Sequence, residues 1–202
     1  MRNADVRAPA TSKQPRDESG RVSAPAGQLL GSLIGGVFGL VYIELNVGAL
    51  PQPWPVVLRI AAAVVFAGLA ILLLARRRPF GQLGQGGPGG FGTRYWIVVV
   101  GEVAAIPAGA ALIRGPAGLP DAVVAWVSVV VGVHFIVLAA VWQRTMFRYL
   151  GVAISVCGVA GLVIAAAGAP TAAIAMTGGA LPGMLLLIAA YRGATWSGAQ
   201  TG

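Results

Sequence analysis

The chain has 202 residues, of which 57% are apolar, 30 are glycine, 13 are proline and 10% are charged, and its mean hydropathy is +0.81. That is too apolar for a water-facing globular domain, so the composition points to a membrane protein. A single cysteine excludes an intrachain disulfide, one histidine beside it excludes the usual Cys/His zinc sites, and the net charge of +8 must be read against topology before nucleic acid is invoked.

Residues 1–26 are rich in Arg, Ala, Pro, Ser and Asp without apolar periodicity, which predicts a disordered tail. Six apolar windows follow: 28–50, 56–75, 95–113, 122–142, 149–168 and 172–191. Each is long enough to cross about 30 Å of hydrocarbon at about 1.5 Å per residue. The first is too long for the core of a secretory signal, so it reads as a retained span. Together the windows hold only three of the chain's charged side chains, Glu44, Arg59 and Glu102. Runs such as Ile71-Leu72-Leu73-Leu74 or Val127 to Val133 do not alternate, which rules against a β-barrel. The fold class is therefore an all-α integral membrane protein, with a transmembrane domain over 27–192 and a short tail at 193–202. Its six spans are joined as three hairpins by Pro- and Gly-punctuated connections at 51–55, 114–121 and 169–171.

Orientation follows from the basic residues. Five lie in the N-terminal tail, four in the 76–94 loop (Arg76, Arg77, Arg78 and Arg94), two in 143–148 and one in the C-terminal tail. The opposite side holds Arg114, with Arg59 just inside the second span. The positive-inside bias puts both termini in the cytoplasm. Trp54 and Trp126 fall at the expected outer boundary, and Tyr95, Trp96, Trp142, Tyr149, Tyr191 and Trp196 at the inner one. Most of the positive charge is thereby assigned to anionic inner-leaflet lipid. No nucleic-acid partner is implied, and the GQLGQGGPGGFG segment at 81–92 lacks the lysine and the strand context of a phosphate loop, so it reads as a flexible connector.

Small residues recur at helical spacing: Gly31, Gly35 and Gly39 on the first span, Gly151, Ser155, Gly158 and Gly161 on the fifth, Gly179 and Gly183 on the sixth. They predict close helix contacts, within the monomer or along a homo-oligomer seam. Pro107 and Pro182 each remove a helix hydrogen bond, and both are expected to kink their spans.

Ionisable residues inside spans are costly and so carry the functional argument. Glu44 and Arg59 lie at similar depth on either side of the first connection, with Asn46 near enough to assist. They form either a charge-neutral staple or an outward-facing solute or ion site. Glu102 and His134 reach matching depth on spans three and four, about 9–12 Å from the inner boundary by helix rise. A carboxyl and an imidazole so placed can share a proton, which makes a proton or solute site, or they can fix helix register. Ser155 lacks the context of a hydrolase nucleophile, no HExxH or paired-carboxylate motif occurs, and Cys157 sits among apolar neighbours as an inert thiol. Neither an enzyme nor a metal or cofactor site is expected.

Residues 132–151, GVHFIVLAAVWQRTMFRYLG, resemble a signature of uncharacterised bacterial multi-pass membrane proteins, G-x-H-F-x-x-L-A followed by an aromatic and then by an aromatic and a glycine that open the next helix. The matching positions are Gly132, His134, Phe135, Leu138, Ala139, Trp142, Tyr149 and Gly151, and Val137 stands where the signature has proline. The resemblance implies only that His134 belongs to a recurring pattern of bacterial membrane proteins, and no reaction. The sequence as a whole suggests a small-solute or ion carrier of permease-like type, or alternatively a non-transporting scaffold or accessory subunit. Its solute is unspecified.

Overall fold

The structure, a computed structural model, describes residues 26–75, 93–142 and 145–195. The expectations for the 1–26 tail up to residue 25, the glycine-rich 81–92 segment, Arg76 to Arg78 and Trp196 lie outside the described residues, and Ala26 opens the first helix. Helices account for nearly all of the rest. They are α1 (Ala26–Asn46) with a 3-10 turn Val47–Ala49, α2 (Trp54–Ala75), α3 (Thr93–Arg114), a 3-10 turn Pro120–Ala122 leading into α4 (Val123–Trp142), and α5 (Thr145–Ala166). The sixth span is composite: α6 (Thr171–Ala175), a π-helical turn Met176–Ala180, and α7 (Leu181–Thr195). All six spans are long and apolar enough to cross a membrane. This is an all-helical, multi-pass membrane protein.

The helix bounds lie within a few residues of the apolar windows. Shifts of this kind extend the start of α5 to Thr145 and the end of the sixth span to Thr195, so most of the segment expected to be a 143–148 loop is helical. Two of the short connections end helices by glycine in the left-handed conformation. Gly168 (φ 76°) follows α5, where the Ala169 N–H donates back to the Ile164 carbonyl at 3.0 Å. Gly118 (φ 63°) follows α3, where Leu119 N–H reaches the Ile113 carbonyl at 2.9 Å. Such bonds satisfy carbonyls that a helix end would leave bare in a poorly hydrated place.

Packing does not follow the hairpins of the chain. The most extensive helix pairs are α4 with α5 and α1 with α7. Both are antiparallel and both are built on small residues. A Cβ added to Gly39 would lie 2.8 Å from the Gly183 carbonyl, and one added to Gly158 would lie 2.6 Å from Val129 N. Between helices in lipid no hydrophobic force acts, so contact of this closeness supplies the dispersion energy that holds the pair. The recurring glycines are thus used within the monomer, except for Gly31, whose Cβ position has nothing within 4 Å.

Two apolar clusters join α1, α2 and α7, one around Leu29, Leu69, Leu73, Ala190 and Ala194, the other around Ile43, Val47, Ala62, Ala180 and Leu187. A third joins the start of α4 to α5 and α6 through Ala122, Ala165 and Ile174. The sixth span touches both groups and is the most buried, with 50% of its apolar window inside the protein. At the opposite extreme is α3, at 6%, which packs chiefly on α4.

Candidate functional site

The register between α3 and α4 is set by Trp126. Its indole N–H donates to the Ala105 carbonyl at 3.1 Å, and the ring occupies the space that a side chain at Gly109 would need. Trp126 was expected as an interfacial anchor. It also makes a contact between helices, because the glycine opposite admits the whole indole and a backbone carbonyl accepts its N–H. Trp54, by contrast, is exposed.

With that register, Glu102 on α3 meets His134 on α4. The Nδ1 of His134 lies 2.8 Å from Oε2 of Glu102, with side chains 15% and 21% exposed respectively. The ring N–H is not aimed along this line, for Nδ1 makes no hydrogen bond of good geometry among the described residues. The contact is therefore a close approach of a carboxyl oxygen to an imidazole nitrogen that a small ring rotation would convert into a hydrogen bond. An edge-on contact with Phe135, at 5.9 Å between ring centroids, flanks the imidazole, and Phe135 in turn stacks on Phe147 of α5.

Further along α4, about 9 Å away by helix rise, lies a polar group that sequence reasoning did not single out. Ser128 is fully buried, and its hydroxyl donates to the Gly178 carbonyl in the π turn at 2.5 Å. The reason is local to the sixth span. Pro182 has no N–H to offer the carbonyl four residues earlier, which is that of Gly178. The π turn gives the proline ring room, and Ser128 supplies the missing donor. With its own proton committed, the Ser128 oxygen can only accept. Tyr42 of α1 faces it, buried to 9% exposure, with Glu102 also within electrostatic range. Yet the Tyr42 hydroxyl makes no hydrogen bond of good geometry among the described residues. Counting back four residues from Pro182 would have found Gly178 in the sequence, but no sequence signal marked Ser128 or Tyr42 as its neighbours.

The other intramembrane pair is also brought together. Nε of Arg59 lies 3.3 Å from Oε2 of Glu44, and its Nη2 donates to the Glu44 carbonyl at 3.3 Å. These side chains are 46% and 38% exposed, on the outside of the α1–α2 pair. Asn46 does not assist them. Its amide donates to the Tyr42 carbonyl at 2.7 Å, and its side chain fills the space beside Gly179. Two residues from Glu44 is about 200° around a helix, so Asn46 turns to the sixth span while Glu44 turns to α2.

The arrangement brings into contact a carboxyl and an imidazole, two groups that can exchange a proton, with the buried Tyr42 and Ser128 hydroxyls further along toward the π turn. Glu102 and His134 are two ligands at most for a metal, and no group of three or more His, Cys, Asp or Glu side chains occurs among the described residues. Comparison of the chain with protein families, with curated proteins and with solved structures returns no match, so the likeness of residues 132–151 to a bacterial membrane family rests on those residues alone.

Proposed function

We propose that the protein is a proton-sensitive carrier of a small solute or ion in a bacterial cytoplasmic membrane, with its six spans joined as three hairpins and both termini in the cytoplasm. The observation that carries this reading is the 2.8 Å approach of Glu102 and His134 inside a span pair. A membrane helix satisfies its backbone without titratable side chains, so two of them in contact need a reason, and proton exchange is the chemistry they share. The buried Tyr42 and Ser128 hydroxyls support it by extending polar groups from that pair toward the sixth span. Anionic inner-leaflet lipid is the expected partner of the basic loops.

The test is proton or solute flux in vesicles containing the purified protein, measured across pH. Wild type is expected to give a pH-dependent flux that Glu102→Gln and His134→Ala each abolish while folding is retained. Absence of any flux from folded wild type, or a flux indifferent to both changes, overturns the carrier reading. Reporters fused at residue 10, at 84–90 and at the C-terminus are expected to behave as cytoplasmic, and those near 53 and 117 as external; an external C-terminus overturns the orientation.

A second reading, a scaffold or accessory subunit, is favoured by one observation. The α1–α7 and α4–α5 pairs meet backbone to backbone, with Gly39 against Gly183 and Gly158 against Val129, and such seams leave little freedom to rearrange. In that case Glu102 and His134 fix register, and their removal costs folding without a separate pH effect.

A further inference from the structure

A groove of about 450 Å³ runs along the outside of the bundle between α2 and α7. Its walls are Val64, Val65 and Gly68 on one side and Ile188 and Tyr191 on the other, and Arg192 stands at one end. We propose that this groove is a binding site for one anionic phospholipid, with an acyl chain along the apolar walls and the headgroup phosphate on Arg192. The proposal does not depend on the carrier reading.

Four observations converge on that occupant. The walls are apolar and open sideways, with Val64 and Ile188 more than half exposed, so they face lipid tails and not water. Arg192 lies three residues before the end of α7, at the depth of headgroups, while Ile188 lies about 6 Å deeper by helix rise. Among the described residues its guanidinium has no carboxylate partner, so its charge is available to an anion from the bilayer. Finally, Gly68 has no packing reason to be glycine. Its Cβ position has nothing within 4 Å, unlike Gly39 or Gly158, and a glycine inside a helix is otherwise a loss relative to alanine. What the missing side chain does is keep the groove open.

The experiment is native mass spectrometry of the detergent-purified protein with added phosphatidylglycerol or phosphatidylcholine. Wild type is expected to retain one phosphatidylglycerol in preference to phosphatidylcholine by about fivefold, the factor one basic side chain contributes beside anionic lipid. Arg192→Gln should erase the preference while leaving weak, equal retention of both lipids. Gly68→Leu should abolish retention of both by filling the groove. Ile188→Trp fills it from the other wall and reads the same effect if Gly68→Leu fails to fold. Equal retention of the two lipids by wild type, or phosphatidylglycerol retention untouched by either filling change, overturns the proposal. So does a dimer that Gly68→Leu or Ile188→Trp splits without altering lipid retention, since it would assign the groove to a second copy of the chain.

Discussion

Ser128 donates a hydrogen bond to the Gly178 carbonyl, which Pro182 four residues on has no N–H to serve, at 2.5 Å and fully out of solvent. The bond ties α4 to the sixth span at the level of the π turn, where α1, α4 and α5 all approach Met176–Ala180. One proline in one span therefore fixes the use of a serine 54 residues earlier, as the positions of Ser128 and Pro182 show.

Replacing Ser128 by alanine should leave the Gly178 carbonyl buried and unpaired, at a cost of about 1–3 kcal/mol. The loss is read as a lower midpoint of thermal unfolding in detergent. Pro182→Ala returns an N–H to the helix four residues after Gly178, so the double variant should regain part of the loss. A double variant no better than Ser128→Ala alone would mean that the proline is not what frees the carbonyl.

Tyr42→Phe removes a hydroxyl that is buried without a partner of good geometry. Its stability should be unchanged or slightly raised, because an unpaired buried polar group contributes only its desolvation cost. In the flux measurement the same variant should shift the pH dependence if the hydroxyl serves the Glu102–His134 pair. A fall of several degrees in the unfolding midpoint would show that the hydroxyl has a structural bond.

The Glu44–Arg59 pair is a surface feature of the helix pair, and its energetics should follow. With side chains 38% and 46% exposed and within a few residues of the helix ends at Asn46 and Trp54, where interfacial water reaches them, either single replacement is expected to cost about 1 kcal/mol, well short of the roughly 3–5 kcal/mol of a buried pair. Arg59→Met should cost more than Glu44→Gln, since Arg59 also bonds the Glu44 carbonyl. The double replacement should cost less than the sum of the two. Strict additivity in the cycle would mean that the side chains do not interact.

Glycines that the sequence makes alike should respond oppositely to alanine. At Gly158 a Cβ would meet Val129 N at 2.6 Å and the Ala125 carbonyl at 2.7 Å, both backbone, so Gly158→Ala must push α4 and α5 apart and should destabilise by about 1–3 kcal/mol or more. At Gly101 nothing lies within 4 Å, and alanine there should be neutral or stabilise by up to about 1 kcal/mol. The comparison is made on thermal unfolding of the two variants, and equal effects would contradict the packing.

Length, hydropathy and helix-ending residues were enough to fix the all-helical class and the six spans, because in hydrocarbon the backbone has to satisfy itself locally and one span needs about twenty apolar residues. The same one-dimensional reasoning brought Glu102 to the depth of His134, and Glu44 to that of Arg59, since helix rise converts residue number directly into depth. It did not tell which helix lies beside which. Chain connectivity suggested hairpins, whereas α1 packs most closely on α7, across nearly the whole sequence, because the small residues facing each other there allow the closest approach. Azimuth was equally out of reach. Asn46 stands two residues from Glu44 yet joins Tyr42 and Gly179, and Tyr42 and Ser128 meet only because α1 and α4 both border the π turn. Depth is a property of one helix, but contact depends on the rotation of two, and the rotation was decided by close packing in the assembled bundle.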